Sequence, residues 1–148
     1  SARETEWRTT TGKARFITAP LSPFTLGKGQ LRLMTIRSHD QYNTTIYGLD
    51  DRYRGIKNER KIIFMNRMDM LEQKLKENDF VNIISTSPDG EERIAQAFRP
   101  VPYDIPRGCA GSYFPETNVL VPLDATADKS HTPTSKFIIV RLEKIDLG

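Results

Sequence analysis

Leu31-Arg32-Leu33-Met34-Thr35-Ile36 is the stretch that decides how this 148-residue chain is read. A compact apolar run of that length, bounded by polar residues, reads as a buried strand. The segment after it has neither strand nor helix periodicity. From Arg37 to Gly55 the chain turns polar, through Ser38, His39, Asp40, Gln41, Asn43, Thr44, Thr45, Asp50, Asp51 and Arg52. A loop of this length inside a compact domain is uncommon unless it is functional or disordered. Tyr42, Tyr47 and Tyr53 argue against disorder. The loop is therefore the first functional candidate.

Working outward, Lys61 to Met65 (KIIFM) forms the next expected strand. Asn66 is a plausible N-cap, its side chain accepting from a first-turn N–H. Met68, Leu71 and Leu75 recur at helical spacing and predict one buried helical face, with the helix stopping near Asn78. Phe80 to Thr86 reads as a strand. Asp89-Gly90 is a hairpin signal, because that pair tolerates the positive φ of a tight turn, and Glu91 to Val101 returns as its second arm. Pro100, Pro102 and Pro106 then interrupt the pattern, so Pro102 to Gly108 is a loop; Ala110 to Phe114 is a short strand, and Pro115 to Thr134 a second long polar loop. Lys136 to Leu142 (KFIIVRL) closes the set. Residues 1–30 carry Pro20, Pro23, Gly27 and Gly29 and read as an arm or linker; residues 31–148 read as the domain.

About six short strands, one or two short helices and two long polar loops predict a mainly β domain. A closed or nearly closed barrel is favoured, since closure removes vulnerable sheet edges. The loops at its mouth would carry function.

Composition narrows the field. Hydrophobic residues make up 37% and charged residues 28%, which suits a globular domain. A net charge of +3 is too weak to imply nucleic-acid binding, and no apolar run reaches the ~18 residues that would imply a membrane span. The lone Cys109 excludes an internal disulfide or cysteine-rich metal site, and with no secretory signal in the sequence a reducing, cytoplasmic location is expected. The cluster Arg52, Arg54, Lys57, Arg60 and Lys61 could favour a phosphorylated ligand, or it could be a solvated loop.

Candidate chemistries thin out on inspection. Ser38-His39-Asp40 is a poor triad, because triad members converge through space and are seldom neighbours in sequence. Cys109 lies among small residues and reads as a small buried side chain rather than a nucleophile. Asp50 and Asp51 lack a third nearby carboxylate for an oxygen cage, so pairing with Arg52 and Arg54 is expected. No phosphate-cradling glycine motif is present. Arg37, Gln41, Asn43 and Thr44 in the first loop, and Asn118, Ser130, His131 and Lys136 in and just after the second, supply planar donors and acceptors suited to the edge of a fused heterocycle. The same groups could instead cap one another and the loop backbone.

Longer motifs carry a resemblance. Residues 33–48 (LMTIRSHDQYNTTIYG) resemble the start of the C-terminal, cofactor-binding domain of molybdopterin oxidoreductases. Asp51-Arg52-Tyr53-Arg54-Gly55-Ile56 is similar to the formate-dehydrogenase-like alpha subunits within that superfamily. Asn78-Asp79-Phe80-Val81 with Asp89-Gly90, Tyr103 to Gly108, Tyr113 to Leu123, and Ser130 to Lys136 resemble later pieces of the same domain, in the same order.

This resemblance implies a six-stranded double-psi β-barrel that closes over a bis(molybdopterin guanine dinucleotide) cofactor at the end of a longer catalytic chain. Carried over position by position, Arg37, Ser38, Gln41, Asn43 and Thr44 would line one contact loop. Tyr113, Glu116 and Asn118 would line another, with Ser130, Pro133 and Lys136 completing the wall. Preceding domains of the same polypeptide would be partners and would hold any iron–sulfur cluster, and Gly12 to Phe16 would lie in the link to them. The isolated barrel is not expected to be catalytic. The alternative is a free-standing barrel subunit that binds or assembles within a larger redox complex.

Overall fold

The computed structural model describes residues 3–4, 8–20, 23–41, 48–86 and 90–146. Six strands close into a barrel: β1 (Gln30–Ile36), β2 (Ile62–Met65), β3 (Phe80–Thr86), β4 (Glu92–Pro102), β5 (Cys109–Tyr113) and β6 (Ile138–Ile145). Around the barrel they run β1-β5-β2-β4-β3-β6. β1 pairs in parallel with β5, and β2 in parallel with β4. The other neighbours are antiparallel. The closed, mainly β architecture expected from the strand count is the one observed. Among the described residues, one helix, α1 (Arg67–Glu72), and a 3-10 turn (Asn118–Leu120) complete it.

Alternation explains which way β1 faces. Leu31, Leu33 and Thr35 are buried, while Arg32 and Met34 face outward, as a period of two requires. The barrel interior is filled by Leu33, Ile63, Met65, Val81, Ile83 and Phe98 among others. β2 is buried on both faces. Its outward side chains, Ile62 and Phe64, pack with Ile56 and Tyr113 in a second cluster outside the barrel wall. The segment around Ile56 thus covers one side of the barrel.

β4 carries Pro100 and Pro102, which sequence reading takes as interruptions. The strand nonetheless continues to Pro102. Its pairing with β3 ends at Phe98, opposite Val81. Arg99 and Tyr103 donate their N–H groups to Lys61 and Met65 on the β2 side. Strand N–H groups alternate in direction, so the prolines fall where a donor would have pointed away from β2, and no ladder bond is lost. Near the β3 pairing a bulge separates the Val81–Phe98 and Ile83–Ala95 pairs. There Ala97 takes a φ of 60°, with its N–H held by Asn82 Oδ1 at 3.2 Å.

The helix is shorter than its spacing suggests. Asn66 does cap it, accepting from the Met68 N–H at 2.9 Å. It stops at Glu72, and Lys74 enters the left-handed region at φ 55°. Leu75 therefore belongs to the following turn and is not on the helical face with Met68 and Leu71. Met70 and Leu75 are buried, while Met68 and Leu71 are exposed. β6 likewise starts at Ile138, because residues 134–137 form a turn closed by the Phe137 N–H on Thr134 O. Of the expected hairpin pair, Gly90 has a φ of 82° and Asp89 lies outside the described residues. Residues 8–20 form no strand and are exposed; further on, Phe24 packs edge-on against Phe137 at 4.9 Å.

Truncating a barrel residue should be costly, and truncating an outward helix residue should not. Ile83→Ala is expected to lose about 2–5 kcal/mol in urea unfolding. Leu71→Ala, at an exposed position, should stay within about 0.5 kcal/mol of the parent. Equal losses would contradict the inward and outward assignment.

Candidate functional site

The parallel register of β1 and β5 places Ile36 beside Tyr113, so both strands end at the same end of the barrel. The chain after each strand leaves side by side, tied by the Phe114 N–H on Ile36 O at 2.8 Å. β2 runs antiparallel to β5, with Ile63 opposite Ser112, so Arg60 enters at this same end.

Arg60 is 5% exposed and reaches both loops. It donates from Nη1 to Ser38 Oγ at 2.8 Å and from Nη2 to Gln41 Oε1 at 3.2 Å. On the other loop it donates to Phe114 O at 2.8 Å and pairs with Glu116, Nε to Oε1, at 2.6 Å. A second bond runs from Nη2 to Glu116 Oε2 at 3.2 Å. Its guanidinium also lies 4.8 Å from the centre of the Tyr113 ring. Gln41 adds a direct tie across the gap, Nε2 to Phe114 O at 2.8 Å. A planar fork of five donors suits this role, and a lysine could not reproduce it. Removing one partner of such a buried pair strands a charge, at about 3–5 kcal/mol.

A second buried group lies alongside. Asp51 is 1% exposed and accepts from the Tyr113 hydroxyl at 2.8 Å and from Arg54 Nη1 at 2.5 Å. Burial pushes the Asp51 carboxyl up, but the Tyr113 and Arg54 bonds outweigh it and hold the group below 3.8. The Tyr113 phenol is pushed well above its ordinary value by burial and by the Asp51 charge. Arg54 also reaches Arg37 O at 3.2 Å. Asp51 thus pairs with Arg54 as expected. Asp50 does not pair with Arg52; it accepts from the Asn58 N–H at 2.8 Å, and Arg52 turns to His39 Nε2 at 2.7 Å.

Lys136 folds its ammonium back onto Thr35 at the end of β1, bonding to the Thr35 carbonyl and, at 3.3 Å, to Thr35 Oγ1. Desolvation there and the neighbouring Arg37 charge push its amine down. Among the described residues no carboxylate forms an ion pair with Lys136. Beside it, on the outer face of β1, β5 and β2, runs a groove of about 490 Å³. Met34, Ile36, Phe64 and Gly111 line it, with Arg32, Arg54 and Lys136 as cationic points. Cys109 opens here and is half-buried rather than buried; its Sγ accepts from Arg32 Nη2 at 3.3 Å. Arg32 also lies over the Phe137 ring at 5.8 Å.

The expected site residues therefore separate into groups. Ser38, Gln41, Tyr113 and Glu116 converge around Arg60. Arg37 and Lys136 lie close enough for their charges to interact. Asn118 opens the 3-10 turn and lines a separate depression with Arg93 and Asp124. Ser130 sits in an exposed turn, bonded to Thr132 at 2.7 Å, and Pro133 bridges to Thr126 on the return arm. Asn43 and Thr44 lie outside the described residues. Ser38 and His39 face different partners, so no triad forms. In the sequence Arg60 stands out only as one of a basic cluster. Arg60 stands two positions before Ile62, with the exposed Lys61 between them, so nearness to the apolar run was the one available signal, since a buried charge needs a partner.

Residues 31–139 match the family described as "Molydopterin dinucleotide binding domain". The chain belongs to that family. It is 54% identical over 142 residues to "Uncharacterized oxidoreductase Rv2900c" of Mycobacterium tuberculosis, covering 93% of this chain and 18% of that protein. It is 40% identical over 151 residues to "Protein YdeP" of Escherichia coli K12, covering 97% of this chain and 20% of that protein. The chain thus spans about a fifth of the length of these relatives.

The Asp51 group carries a pH signature. A carboxyl held below 3.8 in the fold stabilises above that value, and the contribution is lost as pH falls through the folded pKa. Asp51→Asn should lower stability at neutral pH and flatten the acid limb of a urea-midpoint profile. Tyr113→Phe should move that limb to higher pH. Unchanged profiles in both variants would contradict the assignment.

Proposed function

We propose that this chain is the C-terminal cofactor-binding domain of a molybdenum-dependent, formate-dehydrogenase-like oxidoreductase, and that it contacts a bis(molybdopterin guanine dinucleotide). The observation that carries the reading is that Lys136 is held on Thr35 at the end of β1, two residues before Arg37, so that both cations stand at the loop-bearing end of the barrel. Lys136 is pushed down by desolvation and by that neighbour, with no carboxylate paired to it among the described residues. An anionic ligand relieves such repulsion, and cationic side chains hold phosphate groups through charge-assisted bonds. This donor chemistry fits a polyanionic dinucleotide. The family match and a relative named as an oxidoreductase support the same reading.

When bound, the cofactor supplies the redox chemistry, and the protein binds and orients it. In this reading Arg37 and Lys136 hold anionic groups. Asn43 and Thr44 offer amide and hydroxyl edges to the heterocycles, whereas Asn118, Ser130 and Pro133 open away from Arg37 and Lys136 and take no contact in this reading. Ser38, Gln41, Tyr113 and Glu116 belong to the same two loops. The formate-dehydrogenase-like assignment rests on the run Asp51 to Ile56. Any iron–sulfur cluster would be held by other parts of the polypeptide, and the lone cysteine suits a cytoplasmic location.

Arg37→Ala and Lys136→Ala, made separately in the full-length protein, test this. Loss of one charge-assisted contact should weaken cofactor retention by about tenfold or more. The readout is pterin released after denaturation, measured by fluorescence of its oxidised form. Pterin content equal to the parent in both variants, including after prolonged dialysis, would contradict the proposal.

A further inference from the structure

We infer that Arg60 is a positioning residue that couples the two loops at the cofactor end, so that they hold or release the dinucleotide as one wall. This inference rests on the function proposed above. The geometry that carries it is the division of Arg60's bonds. Ser38 and Gln41 lie on the loop after β1, and Phe114 and Glu116 lie on the loop after β5. One side chain, 5% exposed, therefore spans two segments 73 residues apart in sequence at their own direct tie, Gln41 to Phe114.

The bonds also set which changes are tolerated. Nε and Nη2 both address Glu116, at 2.6 and 3.2 Å, while Nη1 addresses Ser38 at 2.8 Å. Only a planar guanidinium can serve both loops at once. Lysine, a point charge on a flexible stem, keeps the charge and loses the fork. Glu116→Gln keeps the shape of the second loop and removes the charge that Arg60 holds.

The test uses the full-length protein with Arg60→Lys, Glu116→Gln and the double variant. Asp69→Asn serves as a control at the opposite end of β5, where Asp69 is also buried and accepts from the Gly108 N–H at 2.6 Å. Two readouts are taken: the rate of pterin loss on dialysis, and amide hydrogen exchange of residues 37–41 and 113–117. Arg60→Lys and Glu116→Gln should each speed pterin loss about tenfold and raise exchange in both loops together. The double variant should be little worse than either single one. Asp69→Asn, at matched thermal stability, should leave both readouts at parent values.

Pterin loss from Arg60→Lys no faster than from Asp69→Asn would overturn the inference, as would exchange rising in one loop alone. A parent protein that purifies without pterin would overturn the proposed function and with it the cofactor half of this inference. Coupled exchange would then separate the two failures, because it reads the loops without the ligand. Should Arg60→Lys not fold, the Glu116→Gln variant decides the same question.

Discussion

The ion pair between Arg60 and Glu116 is the contact on which the loop-bearing end of this barrel depends. A guanidinium placed beside an apolar strand is costly to bury alone, and removing its partner would strand it. Here it is met by a carboxylate, a hydroxyl, an amide oxygen and a backbone carbonyl from two loops. The desolvation of one cation is thereby converted into a tie between segments far apart in sequence. Tyr113 adds a third layer, with its ring under Arg60 and its hydroxyl on Asp51. From Asp51 the chain of bonds runs through Arg54 to the backbone of Arg37. The residue proposed to meet the ligand is thus anchored through the same buried network.

The barrel makes that network possible. Parallel pairing of β1 with β5 brings two strand ends to one edge, and antiparallel β2 delivers Arg60 to the same edge. An all-antiparallel meander would have joined these strands by short hairpins. Here the crossovers are long, so they remain available as loops at the barrel mouth. Loops supported by a closed scaffold are where binding side chains concentrate.

Much of the fold was legible in the residues themselves. The apolar runs at Leu31 to Ile36 and Lys61 to Met65 marked strands that the structure contains, although the first alternates between buried and exposed side chains. The misreadings have physical causes. Met68, Leu71 and Leu75 keep helical spacing, but the helix ends after Glu72, so spacing beyond that point had no meaning. Pro100 and Pro102 looked like breakers because local sequence does not reveal that β3 pairing has already ended at Phe98. The candidate site was legible only in outline. Ser38, Gln41, Tyr113 and Glu116 could be named as loop residues, yet their convergence on Arg60 depends on contacts 19 to 56 residues apart in sequence. Asn118, grouped with Lys136 by sequence order, opens the 3-10 turn and lines a different depression.

If these two loops form one wall against a pterin dinucleotide, an experimental structure of the full-length protein, purified with its native cofactor, tests that most directly. Dinucleotide density is expected at the end of the barrel from which both loops leave, with phosphate or heterocycle atoms within hydrogen-bond distance of Arg37 and Lys136. Cofactor density lying elsewhere, with that end of the barrel packed only against protein, would contradict it.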